Sequence, residues 1–263
     1  MRSMVLAFFI LFGLSAMAAP SHDGLSAIRL PGESYDQAHN RAVINSDLLR
    51  ISDTQDDTPS DVQMTLDKID FRQVPELPSM DELWKEFRFI RDTRFIQDPT
   101  INFPRRLTWL YPDDGCYARA EMATQFTVQR GLPAPKKFFV FGNLTAQTPN
   151  APGGEVGWWY HVAPIYRVKS AVYILDPAIN PKQPLLVKDW IHAITASESQ
   201  PHFALCSSAT YDPDSSCSAT APNPQAKSLS DQEYFMRPEW DRLVELGRDP
   251  RKELGTNPPW IRY

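Results

Sequence analysis

The sequence is poor in cysteine, glycine and basic charge, and each shortage removes a class of function. Its three cysteines form no CxxC pair and its five histidines show no metal-ligand spacing, so no zinc site is expected. Only 11 of 263 residues are glycine, and neither a Gly-rich phosphate loop nor a GxSxG elbow occurs. With 27 basic against 32 acidic residues, the basic excess of a nucleic-acid binder is missing. Beyond the first residues no apolar run is long enough to span a bilayer. Proline is plentiful at 24, which favours extended and looped stretches, and the 42% hydrophobic content suffices for a packed core.

The chain opens with Arg2, a short apolar run from Met4 to Leu14, and the small-x-small pattern Ala16-Met17-Ala18. Residues 1–18 therefore read as a secretory signal peptide, which implies a secreted or periplasmic protein with no membrane attachment after cleavage. In an exported chain three cysteines imply one bridge and one leftover. Cys206 and Cys217 lie close together in FALCSSATYDPDSSC and are expected to pair, contributing on the order of 2–3 kcal/mol by restricting the unfolded chain. Cys116 is then a lone thiol, either buried and inert or kept for its chemistry.

Residues 20–78 carry eleven acidic and five basic side chains, with weak periodicity and the solvated stretch SDTQDDTPSD. They read as a loosely ordered N-terminal extension: a pro-segment, a linker, or an edge of the main domain. At Ser79 the pattern sharpens. Ser79-x-x-Glu82 is a capping box, and Met80, Leu83, Trp84, Phe87 and Ile90 follow at helical spacing. The main domain is expected over 79–263.

A second helix is predicted over 115–130, with Asp114 as N-cap, Gly131 at C′ and Pro133 beyond. Strands are predicted at Phe138–Phe141, Trp158–Val168 and Ala171–Leu175, a helix at Val187–Ile194, and a short helical piece around Glu239–Leu246. Helices ahead of an antiparallel strand cluster define an α+β fold.

Cys116 falls at the start of the second helix, where unpaired N–H groups and the positive dipole end favour a thiolate. Asp113 and Asp114 oppose this, so a cationic partner is needed. His161 is the candidate. If Lys169-Ser170 is a two-residue hairpin turn, paired positions sum to 339, so Ala163 faces Asp176 and His161 faces Ala178. His161 and Asp176 then share a face as diagonal neighbours, within mutual reach. The carboxylate can hold one ring nitrogen and leave the other for the thiol. Pro164 within the strand signals an edge or a bulge. The bland alternative is a buried cysteine at a packed helix start, with a core histidine tied to a structural carboxylate. A helix cysteine, a strand histidine and an aspartate on the next strand follow the chain order of papain-like and transglutaminase-like hydrolases.

Four blocks, FPRRLTWLYPDDGCYARAEM, KKFFVFGNL, WWYHVAP and VYILDPAINP, resemble bacterial protein-glutaminase over about residues 95–195. The resemblance implies a papain/transglutaminase-like core, no cofactor, and hydrolysis of glutamine side chains in proteins or peptides to glutamate and ammonia. It places the catalytic residues on Cys116, His161 and Asp176, and lays Trp158 and Tyr160 along the substrate groove. It also implies a pro-segment that blocks the site, which suits the extension. The chain departs from the family pattern at Glu121, in its fewer cysteines, in the acidic loop 53–61 and over 220–263. The expected partner is a protein or peptide substrate of a monomeric enzyme. Rival readings are a crosslinking acyl transferase, a cysteine peptidase, a deamidating toxin or effector, and an exported binding domain with a decayed site.

Overall fold

Strand β3 (Lys136–Gln147) alternates its side chains as a buried strand should: Phe138 and Val140 enter one core, while Phe139 and Phe141 enter another on the opposite face. Around it lie β4 (Glu155–Val168), β5 (Ala171–Ile174), β6 (Leu185–Leu186) and β7 (His202–Cys206), in the order β6-β5-β4-β3-β7, all antiparallel. A small hairpin pairs β1 (Ile96–Asp98) with β2 (Phe103–Arg105). This computed structural model describes residues 57–98, 103–196 and 200–262, with positions 32–34, 37, 38, 40, 41 and 44 ahead of them. The leader at 1–18 lies outside the described residues. The α+β expectation holds.

Helix α1 (Met80–Asp92) begins where the capping box predicts, Ser79 Oγ accepting from the Glu82 N–H at 3.2 Å. Its Leu83, Phe87 and Ile90 share a core with Met122, Ala123 and Phe126 of α2 (Cys116–Gln129) and with Met236 and Leu243 of α4 (Gln225–Glu245). Helix α3 (Val187–Ile194) covers the other sheet face, bringing Trp190 and Ile194 against Phe138, Val140 and Ile165. A short α5 (Pro250–Glu253) follows.

Three sequence expectations need correction. The C-terminal helix is not a short piece near Glu239 but 21 residues long, with Pro238 inside it. The hydrogen bond lost at Pro238 is outweighed by burial of Phe235, Met236, Glu239 and Leu243. The N-cap of α2 is Gly115, not Asp114; Asp114 instead turns its Oδ1 onto the Gly115 N–H at 2.7 Å. Strand β7 is additional, pairing with β3 from Lys137↔Cys206 to Phe141↔His202.

The hairpin register is the one the turn predicts, Val168↔Ala171 through Ile165↔Ile174, with Lys169 at φ 55° as a tight two-residue turn requires. Pro164 sits just past this ladder, where its missing N–H costs no β4–β5 bond, and its carbonyl accepts from Leu175 N at 2.9 Å. The disulfide joins Cys206 to Cys217.

The last part of the N-terminal extension is packed into the domain. Val74 and Leu77 are core residues. Met64 and Phe203 exchange two backbone hydrogen bonds at 2.8 Å, and Asp57 accepts from Cys217 N and from Ser216 Oγ in the disulfide-closed loop. Of the three roles open to the extension, residues 57–78 fill that of an edge of the main domain.

Candidate active site

Gly115 fixes where Cys116 sits. Its φ of +77° belongs to glycine, and a Cβ there would lie 2.7 Å from the Phe235 ring. Phe235 of α4 thus packs against the turn that launches α2, leaving Cys116 as its first residue, buried and free of any disulfide.

On β4, His161 is 1% exposed. Its Nε2 donates to Asp176 Oδ2 at 2.8 Å. Asp176 lies just beyond the end of β5, outside the ladder. It is held by Trp190 Nε1 of α3, which donates to Oδ2 at 3.0 Å, and by the Ala178 N–H, which donates to Oδ1 at 3.2 Å. The imidazole stacks on Trp158, with ring centroids 4.8 Å apart, and on Trp190 at 5.5 Å. Trp158 in turn donates from Nε1 to the Pro112 carbonyl at 2.9 Å, just before the Cys116 turn.

A regular strand would put Trp158 and His161, three residues apart, on opposite faces. Here the β3–β4 register shifts between Phe141 and Leu144, and the two rings meet. Tyr160 falls on the other face, in the core that contains Cys116.

Burial alone would push the His161 pKa down. The Asp176 charge and hydrogen bond outweigh it, Cys116 adds to the rise, and the pKa stands at about 9. Burial likewise raises the Asp176 carboxyl, but His161 and the Trp190 N–H bring it below its ordinary value. His161 Nδ1 is buried and, among the described residues, has no hydrogen bond of normal geometry, although Cys116 acts on the ring. The structure therefore brings Cys116, His161 and Asp176 together, with Nε2 committed to the carboxylate and Nδ1 left over.

The two acids ahead of Cys116 both face guanidinium groups. Arg242 of α4 grips Asp113 with two bonds of 2.7 and 3.0 Å. Arg41 of the extension, itself paired with Glu33, interacts electrostatically with Asp114. Behind the site, Glu121 of α2 forms a buried pair with Lys137 of β3, whose Nζ also donates to the Thr210 carbonyl. The Glu121 departure thus has a partner on the central strand. Sequence reading missed Trp190 and Arg242. Trp190 sits on the apolar face of an amphipathic helix and reads as core, and Arg242 lies inside the predicted piece Glu239–Leu246, but its bond to Asp113 spans 129 positions and leaves no local mark. Trp158 and Tyr160 are both buried. His192 lies on α3 and His202 opens β7; His22 and His39 lie outside the described residues. Among the described residues no group of three His, Cys, Asp or Glu could hold a metal ion, and no helix is long and apolar enough to cross a membrane.

A helix-borne cysteine and a strand histidine lie as chain order anticipates, but the aspartate sits just past β5 and not on it facing Ala163, because the ladder ends at Ile165↔Ile174. Residues 83–194 match the Gln_deamidase_2 family model, described as glutaminase, which covers Cys116, His161 and Asp176. The resemblance to protein-glutaminase read from the four sequence blocks lies in that same stretch. Among solved structures, a crystal structure of protein-glutaminase aligns with a TM-score of 0.48 and 25% identity, over 61% of this chain and 88% of that one. A crystal structure of pro-protein-glutaminase gives 0.49 and 25%, over 71% and 65%. The solution structure of protein-glutaminase from Chryseobacterium proteolyticum gives 0.45 and 25%, over 59% and 84%. No curated protein matches the sequence.

Proposed function

We propose that this chain is an exported protein deamidase that hydrolyses glutamine side chains to glutamate and ammonia. The observation that carries the reading is the buried His161–Asp176 pair acting on Cys116 at the head of α2. The glutaminase family match supplies the substrate class, and the leader sequence and the Cys206–Cys217 bridge support export.

In this mechanism His161 is the imidazolium and Cys116 the thiolate. The sulfur attacks the carboxamide carbon, and the developing oxyanion takes a hydrogen bond from the Cys116 N–H at the helix start. As the C–N bond breaks, His161 gives its proton to the departing ammonia, leaving a thioester. His161 then accepts a proton from water as the water attacks, and the thiolate leaves with release of glutamate, restoring the ion pair. Asp176 orients the ring and stabilises its cation. Trp158 backs the imidazole, while Tyr160 lies on the other face of β4 in the cluster that holds Cys116.

The part of the extension ahead of residue 57 is read as a cover, which makes the chain a zymogen. Support comes from Ala38, buried in a helical position, and from Arg41, which interacts electrostatically with Asp114 two residues before Cys116. The test is ammonia release from a glutamine-rich protein. Cys116→Ala is expected to abolish it while retaining the fold; undiminished release by that variant would eliminate the mechanism.

A further inference from the structure

A buried phenol hydroxyl without a partner is costly, so one packed with a reacting sulfur calls for a reason. Tyr160 is 4% exposed, directly precedes His161 on β4, and shares a packed cluster with Cys116 and Tyr117. Its ring is held by Phe141, at 6.4 Å between centroids, and by Trp159, at 4.5 Å. Among the described residues its hydroxyl has no hydrogen-bond partner.

We propose that the Tyr160 hydroxyl is the second oxyanion donor, completing with the Cys116 N–H the hole that receives the charge of the tetrahedral intermediate. This rests on the deamidase reading above. When Sγ bonds to the carboxamide carbon, the π pair moves onto oxygen; Tyr160 donates a hydrogen bond to that oxygen and keeps its proton. The pair returns as the C–N bond breaks, and nitrogen leaves with the proton from His161.

Two further features fit. Burial, and next the charge of Cys116, hold the Tyr160 pKa well above its ordinary value, so the group remains a donor throughout the working range. The donor is also preorganised, because its ring is packed against Phe141 and Trp159 before substrate arrives. Among the described residues the Tyr117 hydroxyl of the same cluster also lacks a partner, but its ring packs edge-on to Tyr211 at 5.3 Å and to Phe235 at 6.5 Å, on the α4 side. It serves as the matched control.

The experiment compares kcat and KM for ammonia release by wild type, Tyr160→Phe, Tyr117→Phe and Cys116→Ala, each as the full chain after identical limited proteolysis. Alkylation of Cys116 is followed in parallel. Tyr160→Phe is expected to lower kcat by about 10²-fold, with KM little changed and alkylation at the wild-type rate. Tyr117→Phe is expected to match wild type. Tyr160→Phe at wild-type kcat, or equal losses in both phenylalanine variants, would overturn the proposal. So would slowed alkylation in Tyr160→Phe, which would mark a disturbed sulfur in place of a lost donor. Activity surviving in Cys116→Ala would instead defeat the deamidase reading itself.

Discussion

His161 is subject to two opposed influences, and the carboxylate wins. Its pKa of about 9 lies above the ordinary 6.5, so folding favours the protonated ring. The sign follows: this contribution to stability is complete below about 6.5 and is lost as pH rises through 9. Unfolding midpoints are expected to fall across that window, and less so in His161→Asn. Activity should follow the same proton, with kcat/KM descending near pH 9 as the imidazolium disappears. Asp176→Asn keeps the shape but removes the charge that raises the ring, so the descending limb should move to lower pH and kcat should fall about 10²-fold or more. A limb unmoved in Asp176→Asn would contradict the role given to this carboxylate.

Among the elements, the α2 start is the most constrained. Gly115 needs its positive φ and has Phe235 against the place a Cβ would occupy. Gly115→Ala is therefore expected to cost roughly 1–3 kcal/mol in denaturant unfolding and to displace Cys116, with a matching loss of ammonia release. Unchanged stability and activity would show that the turn tolerates a side chain. The sequence reading found this helix through Gly131 and Pro133 but assigned the cap to Asp114, because cap preference ranks aspartate first and the Phe235 contact is tertiary. The β4–β5 hairpin was legible because a two-residue turn settles the register. The stacking of Trp158 on His161 was not, because a register shift within β3–β4 leaves no mark in the alternation.

At the scale of the whole molecule, the domain takes in more of the N-terminal extension than its composition suggests. An acidic stretch of weak periodicity reads as solvated, yet Val74 and Leu77 are buried and Met64 bridges to β7. A chain begun at Asp57 is expected to keep the unfolding midpoint of the full chain and to exceed its activity. One begun at Ser79 should melt earlier or fail to fold. Equal stability of the two would show that residues 57–78 add nothing. The central claim is that Cys116, His161 and Asp176 form one hydrolytic device for glutamine side chains. Peptide mass spectrometry of a glutamine-rich protein, after incubation with the proteolysed chain or with its Cys116→Ala variant, tests it most directly. Glutamines should become glutamates in an uncut, uncrosslinked substrate with the former only; backbone cleavage, lysine crosslinks, or equal conversion by the variant would contradict it.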